Sequence, residues 1–272
     1  MVPTPRPVRI GVFDSGVGGL SVLHALREAA PAAALLYVAD TAHAPYGERS
    51  AGFIGERTHR IAAFLRARGA QMLVIACNTA TAAAVQALRA GMPDWPVVGI
   101  EPGVKPALAL TRNGQVGVMA TRATLQSDRF RALLQRLAQG AHGPVAFHLQ
   151  ACSGLAQAIE QHPLDSPAVK ACVAEHCAPL REAGCDAVVL GCTHYPLVAH
   201  HIRAEMGPQV ALVDTAQAVA RRTLALAQAL PPGAPGTAAG SVELWSTGDP
   251  SRLEELAQRW MGLRIAAQVA PV

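Results

Sequence analysis

Two cysteines stand in matching settings: Cys77 is followed by Asn78 and Thr79, and Cys192 by Thr193 and His194. Each comes eight positions after a glycine, Gly69 or Gly184, at the end of a short apolar run. A free thiol titrates at about 8.5, and a helix N-terminus or nearby cation lowers that, so a strand-end cysteine can supply thiolate near neutral pH. One such group suggests a nucleophile. Two in matched positions suit removing a proton from one face of a carbon and adding one on the other, which inverts a stereocentre. His194, beside Cys192, can exchange a proton with a ligand or thiol, or can be a hydrogen-bonded strand-end histidine. Asp14 and Ser15 end the first apolar run, where Asp14 reads either as a helix N-cap or as a carboxylate that positions or deprotonates a neighbouring acid.

The other four cysteines, Cys152, Cys172, Cys177 and Cys185, keep the ordinary reading of a buried small hydrophobe. With no secretion signal, all six read as free thiols. Cys192-Thr-His194 and Cys172-x4-Cys177 contain zinc-type ligands, yet neither has a second close pair at finger or ribbon spacing, so no metal is expected. The glycines of Asp14-Ser-Gly-Val-Gly-Gly19 do not fit the dinucleotide pattern, and no phosphate-loop lysine follows them. The only lysines are Lys105, beside Pro106, and Lys170, in a predicted helix, so a pyridoxal phosphate Schiff base has little support. Proton transfer without a cofactor is the simpler expectation.

These residues need a scaffold that collects strand ends. Short Val/Ile/Leu runs alternate with longer Ala/Leu/Arg stretches of helical period, the pattern of βα units on parallel sheets, so the fold class is α/β. Strands are predicted at 8–13, 35–39, 72–76, 97–100, 116–120, 145–149, 187–191, 211–213 and 243–246, with a helix from about Ser251. Two pairs of segments match in the same order: Ile10 to Ser15 with Val116 to Thr121, and Gly69 to Thr79 with Gly184 to His194. Duplication into two similar domains with mainly parallel sheets flanked by helices follows, the site lying in the cleft between them. The first domain is expected to comprise residues 1–100 plus 210–272 and the second 101–209, with crossings at the Pro/Gly-rich 101–106 and near 206–208. The Ala/Pro/Gly-rich stretch 230–240 reads as a surface loop.

The 272 residues are 51% hydrophobic and 15% charged, with a net charge of +4, enough to bury a large core and too little charge for a disordered chain. No Lys/Arg run makes a phosphate-tracking stripe, so no nucleic-acid partner is expected. The start, MVPTPRP, has no apolar leader core and no run of about 18 apolar residues occurs, which points to the cytoplasm and away from a membrane.

Six segments in order carry a family resemblance: GVFDSGVGGLSV (11–22), YVADTAHAPYGERS (37–50), ACNTATAA (76–83), EPGVKPA (101–107), GVMATRATLQS (117–127) and GCTHYPL (191–197). The chain resembles the glutamate racemases, of the cofactor-independent aspartate/glutamate racemase superfamily, over nearly its whole length. The resemblance implies catalytic cysteines at Cys77 and Cys192, assisted by Asp14, His194 and Glu160. The last rests on a loose match over 151–160. Ligand contacts are implied at Asp14, Ser15, Tyr46, Gly47, Asn78, Thr79, Thr121, Thr193 and His194, with glutamate as substrate, D-glutamate for peptidoglycan synthesis as product, and a homodimer as the assembly. It also implies a C-terminal return to the first domain, to which 210–213 with Asp214 and Thr215 is similar. Racemisation of aspartate or another amino acid, a regulatory protein that only binds an acidic amino acid, and a zinc or thiol-disulfide protein remain open alternatives.

Overall fold

The structure, a computed structural model, describes residues 7–140 and 143–272; of the opening segment read for a leader, all but Pro7 lies outside the described residues. The chain divides into two compact units, one of residues up to 46, 50–100 and 216–272, the other of 47–49 and 101–215.

The first unit opens with β1 (Arg9–Asp14), α1 (Leu20–Ala29), β2 (Ala34–Ala39), α2 (Ala51–Ala67), β3 (Met72–Ile75), α3 (Asn78–Gly91) and β4 (Val97–Gly99). The second unit follows with α4 (Val104–Leu110), β5 (Gln115–Ala120), α5 (Arg122–Gln126), α6 (Asp128–Gln139) and β6 (Ala146–Ala151). It continues through α7 (Leu155–Gln161), α8 (Pro167–Glu182), β7 (Ala187–Gly191), α9 (Ala199–Met206) and β8 (Ala211–Val213). The first unit is completed by α10 (Ala216–Ala227), β9 (Val242–Ser246), α11 (Pro250–Met261) and β10 (Ala267–Val269).

In the first unit the six strands run in the order β10-β9-β2-β1-β3-β4, all parallel. Strand side chains alternate between faces. Ile10, Val12, Leu35 and Met72 pack with Leu23, Val219 and Leu253 on one side, and Phe13, Leu36, Leu73 and Ile75 pack with Ile61 and Val85 on the other. Helices cover both faces, which is why these strands are apolar almost without interruption. The second unit has the order β6-β5-β7-β8, again parallel. Val116, Val118 and Val189 meet Val104, Ala107 and Phe130 on one face.

Both units therefore share the order second, first, third, fourth around their leading strand, and the paired sequence segments fall on corresponding elements: β1 with β5, and β3 with β7. The matched glycines have a structural reason. Gly69 and Gly184 have φ of +83° and +68°, each just past the end of a helix, the conformation that glycine adopts without Cβ strain. In each case the next N–H closes back on a leucine carbonyl, Ala70 on Leu65 at 3.1 Å and Cys185 on Leu180 at 3.0 Å.

One expectation needs correction, and one strand was not anticipated. The strand Ala211–Val213, assigned from sequence to the first domain, pairs with β7 in the second unit's sheet, so the return to the first unit falls at Thr215/Ala216 rather than near 206–208. Gly207, with φ of +98°, instead turns the chain from α9 toward β8. The strand Ala267–Val269, unread in the sequence, pairs with β9 at the sheet edge.

Candidate active site

In open parallel sheets, ligands bind beyond the carboxyl ends of the strands, where the winding reverses. In the first unit that point lies between β1 and β3, because β2 was laid on one side of β1 and β3 on the other. Asp14 ends β1, Ser15 follows it, and Cys77 follows β3. The Ala76 N–H donates to the Phe13 carbonyl at 2.7 Å, so the two strand ends are locked in register. Ser15 Oγ and Cys77 Sγ lie 3.3 Å apart. Cys77 is also the N-cap of α3, its sulfur accepting from the Ala80 N–H at 3.4 Å. Asn78 and Thr79 occupy the first turn of that helix, both buried. Such a helix start presents N–H groups and a positive dipole end to an anion.

Asp14 is buried and accepts the Gly19 N–H at 2.7 Å, bracing the entry to α1. The approach is close: a Cβ on Gly19 would come within 2.6 Å of the Asp14 Cβ.

The second unit repeats the plan between β5 and β7. Thr121 follows β5 and caps α5 by accepting the Thr124 N–H at 3.2 Å. Gly47 lies against it; a Cβ there would be 3.1 Å from the Thr121 Cβ. Cys192, Thr193 and His194 follow β7, all nearly buried. His194 uses both ring nitrogens, Nδ1 3.6 Å from Cys192 Sγ and Nε2 2.6 Å from Glu160 Oε1. Glu160 reaches it from α7. Burial alone pulls the His194 pKa down, but its hydrogen bonds and charge interactions with Cys192 and Glu160 raise it well above the ordinary imidazole value. Its protonated form is therefore favoured.

The remaining cysteines have a different character. Burial pushes the thiols of Cys177 and Cys185 up to about 12 and about 11, and raises Cys152 and Cys172 as well. These groups stay protonated near neutral pH. Cys152 lies beside the buried hydroxyl of Tyr195, on the residue after His194.

Tyr46, expected among ligand contacts, turns its hydroxyl to donate to Asp40 Oδ2. Asp40 is buried and also receives two hydrogen bonds from Arg57, at 3.0 Å and 2.8 Å, and one from Thr247 at 2.8 Å. Burial raises the Asp40 pKa, but these donors, Arg57 first, outweigh it and leave the carboxyl below its ordinary value. Sequence reasoning missed this cluster, although Asp40 follows β2 and the strand-end rule would have drawn attention to it.

Residues 10–223 match the Asp/Glu/Hydantoin racemase family. The chain is 48% identical over 257 residues to the glutamate racemase of Pseudomonas entomophila (strain L48), covering 94% of this chain and 95% of that protein. Among solved structures it is similar to a glutamate racemase isoform from Bacillus anthracis, with a TM-score of 0.85, 32% identity and 99% of both chains covered. It is also similar to the Escherichia coli glutamate racemase in complex with L-glutamate and the activator UDP-MurNAc-ala, with a TM-score of 0.83, 31% identity and 97% of both chains covered.

Proposed function

Since the chain belongs to the Asp/Glu/Hydantoin racemase family and resembles glutamate racemases over nearly its whole length, we propose that it interconverts L-glutamate and D-glutamate by two-thiol proton transfer. The observation that carries this reading is the repeated arrangement in which Cys77 and Cys192 each follow the third strand of a like-ordered sheet. One thiolate takes the α-proton and becomes a thiol; the other thiol protonates the carbanion on the opposite face and becomes a thiolate. Starting from the other enantiomer exchanges the roles.

Each turnover leaves the proton on the wrong sulfur for the next one. His194, between Cys192 and the half-buried Glu160, is suited to pass that proton to and from solvent. Asp14 braces the corresponding region of the first unit through Gly19. The charge that develops on the substrate carboxylate needs fixed donors. The start of α3 with Asn78 and Thr79 supplies some, and the hydroxyls of Ser15, Thr121 and Thr193 and the chain at Tyr46 and Gly47 complete the proposed binding set. The chain's own thiols, imidazole and carboxylates supply each proton step, so activity is expected to persist with chelator present and without pyridoxal phosphate. The reading extends to a cytoplasmic homodimer whose D-glutamate serves peptidoglycan synthesis; among the described residues, no helix is long and apolar enough to cross a membrane.

The test is L-glutamate in D2O with no added cofactor, following optical activity and deuterium at Cα together. Both change if the reading holds. Folded, reduced protein that binds glutamate but exchanges no hydrogen would instead be a binding or regulatory protein.

A further inference from the structure

The mechanism leaves a cluster in the second unit unused: Asp165 in the loop between α7 and α8, and His200 and His201 at the start of α9. One donor atom from each residue lies within 4.8 Å of the others. Asp165 Oδ1 is 3.3 Å from His200 Nε2 and 3.1 Å from His201 Nε2. The two imidazole rings lie 3.8 Å apart between centroids, both presented to the same oxygen. The Leu164 carbonyl oxygen is 3.1 Å from His201 Nε2.

Neighbouring residues on a helix ordinarily diverge by a wide angle. Here they converge on Asp165, and the two histidine–carboxylate separations of 3.3 Å and 3.1 Å are close to those between neighbouring ligands of a metal. Zinc–nitrogen distances of about 2.0–2.1 Å place tetrahedral ligands roughly 3.3–3.4 Å apart. Two imidazoles and a carboxylate match the ligand types of zinc and its neighbours rather than calcium or magnesium, which take oxygen donors. We propose that Asp165, His200 and His201 bind a divalent transition-metal ion of the zinc class. The Leu164 carbonyl offers a further oxygen, and the open side leaves room for water.

The site's place in the chain gives it a consequence. Asp165 is five residues beyond Glu160, and His200 is six beyond His194. A bound ion therefore ties together the two segments that carry the Glu160–His194 pair, and it stabilises the fold as any ligand of the native state does.

The experiment uses the untagged chain, stripped with chelator and dialysed against Zn2+, with Co2+ as a spectroscopic probe. The expected wild-type result is one equivalent held by nitrogen and oxygen donors, so Co2+ shows visible d–d bands without the near-ultraviolet thiolate band. The His200→Gln/His201→Gln variant should lose that equivalent, and Asp165→Asn should bind at least about tenfold more weakly. Zn2+ should raise the thermal midpoint of the wild type but not of the double variant, while chelator-treated variants keep wild-type circular dichroism and racemase activity. Equal metal stoichiometry and affinity in wild type and both variants would overturn the site. So would bound Co2+ accounted for entirely by thiolate ligation, or no Zn2+ retained by the wild type.

Discussion

His194 joins Cys192 to Glu160 through its two ring nitrogens, and that contact couples acid–base chemistry to stability. Because its folded-state pKa is raised, the stability gained from its partners is complete below the ordinary imidazole value of about 6.5 and is lost as pH rises through the higher folded value. Glu160→Gln should lower the His194 pKa, flatten that pH dependence and cost about 1–3 kcal/mol. Imidazole titration by NMR, alongside unfolding at several pH values, checks the sign; an unchanged His194 titration would show that Glu160 does not hold the proton there. Cys77 and Cys192 were legible as candidates because their type and spacing repeat between the halves, and His194 because it stands beside Cys192. Glu160 came only from a loose resemblance, since the long-range approach of α7 to the end of β7 leaves no local pattern in the sequence.

At the scale of elements, the buried Asp40–Arg57 pair anchors the loop carrying Tyr46 to α2, and Arg57 also donates to the Val272 carbonyl at 3.2 Å. Asp40→Asn leaves the Arg57 charge without its carboxylate and should cost about 3–5 kcal/mol, read as a fall in the unfolding midpoint. The lowered Asp40 pKa means that its contribution is present above the ordinary carboxylate value of about 3.9 and is lost as pH falls through the lower folded value. Glycine substitutions test the backbone argument separately. Gly184→Ala meets no neighbour within 4 Å yet must hold φ at +68°, so it should cost about 1–2 kcal/mol. Gly55→Ala, inside α2 with open space around it, should gain about 0.5–1 kcal/mol. Equal effects at the two positions would remove the left-handed turn as the reason for the Gly69/Gly184 match. The long apolar strands were legible because burial on both faces leaves a continuous signal; Ala267–Val269 is a three-residue edge strand, too short to show a period. The sheet that β8 joins is likewise set by its pairing with β7, which its own residues do not encode.

At the scale of the whole molecule, two units with the same strand order and corresponding strand-end cysteines give the duplicated sequence segments a structural counterpart. The fold class follows from local apolar periodicity, whereas the passage between units at Thr215/Ala216 depends on which sheet accepts β8. The central claim is that the two halves contribute one thiol each to a single proton transfer. Its most direct test is to prepare Cys77→Ala and Cys192→Ala separately, establish their fold by circular dichroism, and follow racemisation of L- and D-glutamate in D2O. The account predicts that each variant loses racemisation by at least about 100-fold to 10,000-fold, the range expected for loss of a positioned proton-transfer group. Either variant racemising glutamate at the wild-type rate would contradict it.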